Sequence, residues 1–236
     1  MYFRTILIVV VLNSIALAVE TPAPRTALER AAAYAEGIYA KPTWRIISTQ
    51  GPSGTAGLHA VVLSQLTAGK RLTRVEADYG TYRKLSLVRG DERWIIEPAR
   101  SLLLAFEPDA WSDPRVDAEL LTPHPYAAEE STWSIRPGTW RNQSTWQIDQ
   151  ALPRPAGAAD GEKTAILRFH VRTSDFALQA REEFTRGGRL NRFFRIDAVD
   201  HPPAIAETSF APPAKKPQVT VRSAAEFLTC LSGAAP

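Results

Sequence analysis

Four histidines, His59, His124, His170 and His201, are the side chains best suited to ligate a metal or move a proton near neutral pH. They lie far apart, with neither His-x-x-x-His nor His-Glu-x-x-His spacing, so no local metal motif exists. Leu167, Phe169 and Val171 occupy alternate positions around His170, which turns the histidine to the other face of a strand and predicts exposure to solvent. Glu129-Glu130 and Glu182-Glu183 are carboxylate pairs only along the chain, because adjacent strand residues face opposite sides. No Gly-x-Ser-x-Gly elbow and no glycine-rich phosphate loop occurs. Cys230, the one cysteine, excludes an internal disulfide and reads as a small apolar residue on a packed helix. Catalysis would need residues assembled from distant strands. The expectation is a protein that is not an enzyme and needs no metal or cofactor.

Two charged motifs have structural explanations. Arg89-Gly90-Asp91 matches an adhesion tripeptide, yet a tight turn between strands accounts for its glycine and aspartate. Arg186, Arg189, Arg192 and Arg195 recur every third residue, a step that alternates faces in a strand and so forms no single basic stripe. With 28 basic against 25 acidic residues, the formal charge of +3 does not point to nucleic acid.

The elements that carry these residues read as follows. Residues 1–18 form an address: Met-Tyr-Phe-Arg, an apolar run to Leu17, and Ala16-Leu17-Ala18 as a cleavage site. As a helix the run is roughly 20 Å long, short of the roughly 30 Å hydrocarbon core, so a cleaved signal peptide is favoured over an anchor. No cysteine follows it to carry a lipid. Thr26 and Glu29 have capping-box spacing for a helix whose apolar face is Leu28, Ala31, Ala35 and Ile38, ended by Lys41-Pro42. From Trp44 the period becomes two. Strands are expected around 44–49, 59–66, 72–79, 85–87, 94–96, 102–106, 132–135, 145–152, 165–172, 176–184, 190–199 and 218–222. Prolines 108, 114, 123 and 125 interrupt this rhythm, with a short helix around Val116–Leu121, and Ser223–Leu231 has helical character. The 44% hydrophobic and 22% charged composition is that of an ordinary globular chain, and no linker divides it. One domain over 19–236 is expected.

Six tryptophans and many large apolar residues then sit on a sheet with one modest helix to cover it. Either the sheet has a filled core, or its concave side is an apolar cavity needing a ligand, lid or partner. Pattern alone leaves both open.

Arg89-Gly90-Asp91-Glu92-Arg93-Trp94-Ile95-Ile96-Glu97-Pro98 resembles the Asp-Gly-Lys-x-x-Trp-x-Tyr-x-Pro hairpin of the periplasmic lipoprotein carrier (LolA-like) family. Arg186-Gly187-Gly188-Arg189-Leu190, Phe194-Arg195-Ile196-Asp197-Ala198-Val199 and Ser209-Phe210-Ala211-Pro212-Pro213 follow in the family's order over roughly residues 26–222. The resemblance implies an α+β fold, a strongly curved antiparallel sheet forming an incomplete, half-open β-barrel with a few helices as lid. It implies a periplasmic carrier of acyl chains, binding an acylated lipoprotein or lipid, with an inner-membrane donor complex and an outer-membrane acceptor as further partners. Such a carrier is expected to be a monomer with no nucleic-acid partner. With alternation along the meander, the expected lining is Trp44, Ile46, Leu63, Leu85, Leu87, Trp94, Ile96, Leu102, Leu104, Phe106, Leu121, Trp133, Phe194 and Ile196. The family's Arg-Pro-x-x-Phe-x-Trp segment, whose arginine helps hold the lid, is replaced here by Gln65–Val75. The other reading is a periplasmic sensor or adaptor that binds a protein partner with the same curved sheet.

Overall fold

The computed structural model describes residues 20–78, 83–89, 92–97, 102–106, 120–127, 130–153, 165–211 and 219–222. Residues 1–18, the turn at Gly90, the Val116 helix and the terminal helix with Cys230 lie outside them.

Helix α1 spans Pro24–Tyr39, three residues ahead of the start expected with Thr26 as N-cap. Ala23 is the N-cap and no side chain caps it, so the Thr26–Glu29 box does not form. Pro24 explains the shift: its ring presets a helical φ, and its missing N–H would have had no partner in the first turn. The chain leaves at Ala40, whose N–H reaches the Glu36 carbonyl at 2.9 Å, and Pro42 prevents continuation. Ala27, Leu28, Ala31, Ala35 and Ile38 form the buried stripe, the expected face plus Ala27.

Among the described residues twelve strands follow: β1 Thr43–Pro52, β2 Leu58–Thr67, β3 Lys70–Asp78, β4 Arg83–Arg89, β5 Glu92–Glu97, β6 Leu102–Phe106, β7 Thr132–Trp140, β8 Gln143–Ala151, β9 Ile166–Arg172, β10 Leu178–Phe184, β11 Leu190–Asp200 and β12 Val219–Val221. They make one sheet, ordered β12-β6-β5-β4-β3-β2-β1-β11-β10-β9-β8-β7. Two meanders, β1 to β6 and β7 to β11, are joined by the β1–β11 pairing. Every pairing is antiparallel except β12 with β6. β7 and β12 are the two ends and do not meet, so the sheet is an open half-barrel. Two bulges on β11, with Asp197 extra opposite Ile47–Ser48 of β1 and Asn191 extra opposite Glu183–Phe184 of β10, add local bend and twist.

The 16 residues of α1 lie on the concave face. The first half packs Ala27, Leu28 and Ala31 on Trp146, Ile148, Leu167, Phe169 and Val171 of β8 and β9. The second half packs Ala35 and Ile38 on Trp44, Ile46, Val62 and Val75 of β1 to β3, with Phe194 and Ile196 of β11. One helix about 24 Å long thus reaches from β8 to β3, six strand spacings apart, or roughly 29 Å along the sheet. That is possible because the sheet curves around it.

The convex face is covered too. After β11 the chain folds back over β1 to β4. Thr43 Oγ1 donates to the Pro202 carbonyl at 2.5 Å, the Ile205 N–H to Gln65 Oε1 at 2.9 Å, and Arg74 Nη1 to the Ser209 carbonyl at 3.2 Å. The 3-10 helix Glu207–Phe210 packs on β3 and β4, burying Phe210.

The β1–β2 turn tests the close packing. Gly54 and Gly57 both have positive φ (80° and 79°), but only at Gly57 would a Cβ meet the Phe193 ring and Thr49 Cγ2, each at 2.9 Å. Gly57→Ala is expected to cost about 2–4 kcal/mol, strain plus clash, and Gly54→Ala about 1 kcal/mol, strain alone. Chemical denaturation of the two variants checks the order; equal losses would contradict it.

Candidate functional site

Register decides which side chains can share a cavity. Trp44 lies opposite Ser64, Ile46 opposite Val62, and Val62 opposite Val75, all on the face covered by α1. Followed outward, Val75 aligns with Ser86, Ile95 and Leu104, so positions 102, 104 and 106 belong to this concave row. Leu63 instead aligns with Arg74, then Leu87 and Trp94, and Leu85 pairs with Ile96. Leu63, Leu85, Leu87, Trp94 and Ile96 therefore fall on the convex row, where the 202–211 segment folds back. This corrects the expectation that all fourteen residues line one face. β2 and β3 are covered on the concave side by α1 and on the convex side by the 202–211 segment, so apolar residues occur on both sides and alternation gives no sign of which is concave.

Most of the concave face under α1 is filled. Trp44 (1% exposed), Ile46, Leu121, Phe194 and Ile196 are packed together in the core. Open space remains at the flank of the helix. Arg25, Leu28, Glu29 and Ala32 of α1 face Pro123, Pro125, Tyr126 and Ala127 across a cavity of about 500 Å³, with Trp133 of β7 in its wall. Of the expected lining, Trp133 is the residue that borders this cavity.

Segment 120–127 roofs the concave side as a strap held by two polar pins. The Leu121 N–H donates to the Tyr39 hydroxyl at 2.7 Å. At Tyr126, Gln150 Oε1 accepts the backbone N–H at 3.0 Å while its Nε2 donates to the carbonyl at 2.8 Å and to Ser131 Oγ at 3.0 Å. Gln150 is fully buried on β8, so this satisfied amide fixes where the strap crosses.

Helix α1 is pinned in turn. Arg71, on β3, donates to Ser64 Oγ and to the Lys41 carbonyl, both at 3.1 Å, just where the chain leaves the helix. Burial holds the Arg71 guanidinium below its ordinary pKa. At mid-helix, burial and the nearby Asp175 raise the pKa of Tyr34, which hydrogen-bonds Arg172. Arg172 pairs with Asp175 through both carboxylate oxygens, at 2.7 and 2.6 Å, and Arg30 lies 4.8 Å over the Phe176 ring. Neither Gln150 nor Arg71 was expected from sequence. A lone glutamine between Asp149 and Ala151 gives no sign that it grips a backbone 24 residues away.

The convex face of the second meander is polar but not bare. His170 is buried (6% exposed), with Nε2 on Glu182 at 2.9 Å and the Trp140 ring 4.4 Å away. The expected exposure fails because the β7–β8 hairpin lays Trp140 over the histidine. Beside it Arg168 holds Asp149 at 2.7 and 2.9 Å, and Asp197 takes up Arg195 and Arg141 at 3.2 and 2.9 Å. Among the described residues no group of three or more His, Cys, Asp or Glu is placed to hold a metal, and no helix is long and apolar enough to cross a membrane.

No family model and no curated protein matches the chain. Solved structures do. MucB in the MucA/MucB complex of Pseudomonas aeruginosa superposes with a TM-score of 0.48 at 12% identity, over 81% of this chain and 61% of that one. A conserved protein of Thermus thermophilus gives 0.49 at 11% identity, over 84% and 98%. A LolA superfamily protein of Nitrosomonas europaea gives 0.31 at 10% identity, over 81% and 99%. The structural neighbours include LolA superfamily proteins. This chain spans about three-fifths of the MucB chain. At such scores and identities the likeness assigns no function and no residue roles.

Two expected outcomes test the pins. Gln150→Leu removes the partners of the Tyr126 N–H and carbonyl, costing about 1–3 kcal/mol while the strands persist. Amide exchange at Tyr126 should accelerate far more than in β8 and β9; uniform acceleration would mean that the strap is not a separate unit. Asp175 is held below its ordinary pKa of 3.8, chiefly by the hydrogen bond from Arg172. A depressed carboxylate stabilises the fold above its unfolded pKa, and this is lost as pH falls through the folded value. Asp175→Asn should therefore melt lower than wild type at about pH 7, with the gap closing as the pH falls below the ordinary carboxylate value and through the lower folded one. A gap independent of pH would refute this.

Proposed function

We propose that this protein is an exported periplasmic carrier of acyl chains, taking a lipid or the acyl moiety of a lipoprotein, and that it acts without catalysis or cofactor. The reading treats residues 1–18 as a removed signal peptide and the rest as one half-barrel unit. The observation that supports it is the cavity between α1 and the strap, lined by Leu28, Ala32, Pro123, Pro125, Ala127 and Trp133. Its volume of about 500 Å³ lies within the roughly 300–1,000 Å³ of small-molecule sites. A methylene fills about as much space as a water in the liquid, roughly 30 Å³, so there is room for one acyl chain of ordinary length. Each methylene brought in from water contributes about 0.8 kcal/mol. Leu121 seats one end of the strap in the core beside Trp44, and the other end, held by the Gln150 hydrogen bonds at Tyr126, is the part of the cover that can move aside for entry.

Ala32, half-buried on the cavity wall, is the place to test this. Ala32→Trp fills space without disturbing the buried stripe, so the variant should keep the wild-type melt and lose about ten-fold or more in affinity for a fluorescent fatty-acyl probe. Folded variant that binds the probe as wild type does would remove this cavity as the site. Wild-type protein that neither takes up the probe nor carries lipid in native mass spectrometry would end the carrier reading.

A further inference from the structure

We infer that the cavity beside α1 selects a single-chain amphiphile with a zwitterionic head, its anionic group on Arg25 and its ammonium on Glu29. This rests on the acyl-carrier reading and goes beyond it, because an acyl cavity by itself is indifferent to the head. Arg25, Leu28, Glu29 and Ala32 follow i, i+3, i+4, i+7 spacing and lay one stripe of the helix along the cavity. Leu28 and Ala32 are its apolar part. Arg25 and Glu29 are exposed, one turn apart, and neither forms an ion pair or hydrogen bond among the described residues.

Opposite charges at i and i+4 often close on one another, but the favourable order places the acid first. Here the arginine comes first, and the two heads stand unbonded on a cavity wall that is otherwise mainly apolar. A purely anionic head drawn to Arg25 would meet a like charge on Glu29 one helical turn away, and a cationic head would meet the converse problem at Arg25. A head carrying phosphate and ammonium a few bonds apart satisfies both. Its chain then lies between Leu28, Pro123 and Trp133.

Isothermal titration of the purified protein distinguishes the possibilities, using lysophosphatidylethanolamine, lysophosphatidylglycerol and monoacylglycerol of one chain length, and chain-free glycerophosphoethanolamine. The zwitterionic lysolipid should bind most tightly, about ten-fold better than the anionic one, and the chain-free head should not bind measurably. Arg25→Gln should bring the zwitterionic lysolipid down to the monoacylglycerol level. Glu29→Gln should raise the anionic lysolipid to match it. Both variants should bind monoacylglycerol as wild type does, which shows that the cavity is intact. Equal affinity of the three lipids, or tightest binding of the anionic one, would overturn the head selection while leaving the acyl cavity standing. Binding of the chain-free head alone would identify a phosphate site with no acyl role, and binding of none would remove both readings.

Discussion

A twelve-stranded open sheet carries more apolar surface than one sixteen-residue helix can hide, and the rest of the molecule is arranged around that shortage. α1 covers the middle of the concave face by lying across the strands, its first half in one core cluster with β8 and β9 and its second half in another with β1 to β3 and β11. A helix along the strands would cover only two or three of them. The crossing in turn requires a curved sheet, and the two bulges on β11 help to supply the curvature. The strap extends the cover on the concave side. The return segment 202–211 supplies it on the convex side of the first meander, and Trp140 supplies it for His170 in the second.

Apolar burial is non-directional and cannot say where such covers should lie. Direction comes from a few hydrogen bonds. Gln150 and Tyr39 hold the strap, Arg71 holds the exit of α1, and the Tyr34–Arg172–Asp175 group holds its middle. Net, each such bond contributes only about 1 kcal/mol, but leaving a buried partner unsatisfied costs about 1–3 kcal/mol, so alternative placements are penalised more than the native one is rewarded. The covers are thereby specified in position by hydrogen bonds, while buried residues such as Ala31, Ile38 and Leu121 supply most of their anchorage.

What could be read from the sequence follows from which interactions are local. The stripe Leu28, Ala31, Ala35, Ile38 and the alternation through Trp44 and Ile46 report burial directly, and both recur in the structure. The helix start was misplaced because Thr26 and Glu29 satisfy a spacing rule, whereas Pro24 starts the helix without a side-chain cap. Errors concentrated where a second layer intervenes. Leu63 and Leu87 alternate as cleanly as Trp44 and Ile46, and only the pairing of Leu63 with Arg74, beneath Ser209, shows that they belong to the other face. His170 failed for the same reason, since Trp140 reaches it from a hairpin thirty positions earlier. Gln150 was overlooked because its role depends on a backbone that passes it only in the folded state.

The cavity's location follows from the sheet remaining open. Under β1, β9 and β11 the helix has strands on both sides of its contact, and the core closes around Trp44 and Phe169. β7 is the last strand, with Pro137 at its middle, and Trp133 has a neighbour strand on one side only. A proline there leaves an edge position without a donor, which discourages another strand from adding and filling the space. On the flank of α1 turned away from β8 and β9, Arg25, Leu28, Glu29 and Ala32 face the proline-rich strap and Trp133 in place of a further strand. Pro123 and Pro125 limit how closely that strap can fold down onto the helix, having fixed φ and no N–H to offer. Space therefore persists where the sheet runs out, next to the end of the strap that Gln150 holds by hydrogen bonds. An apolar chain entering there would complete the layer that the missing strand leaves unfinished.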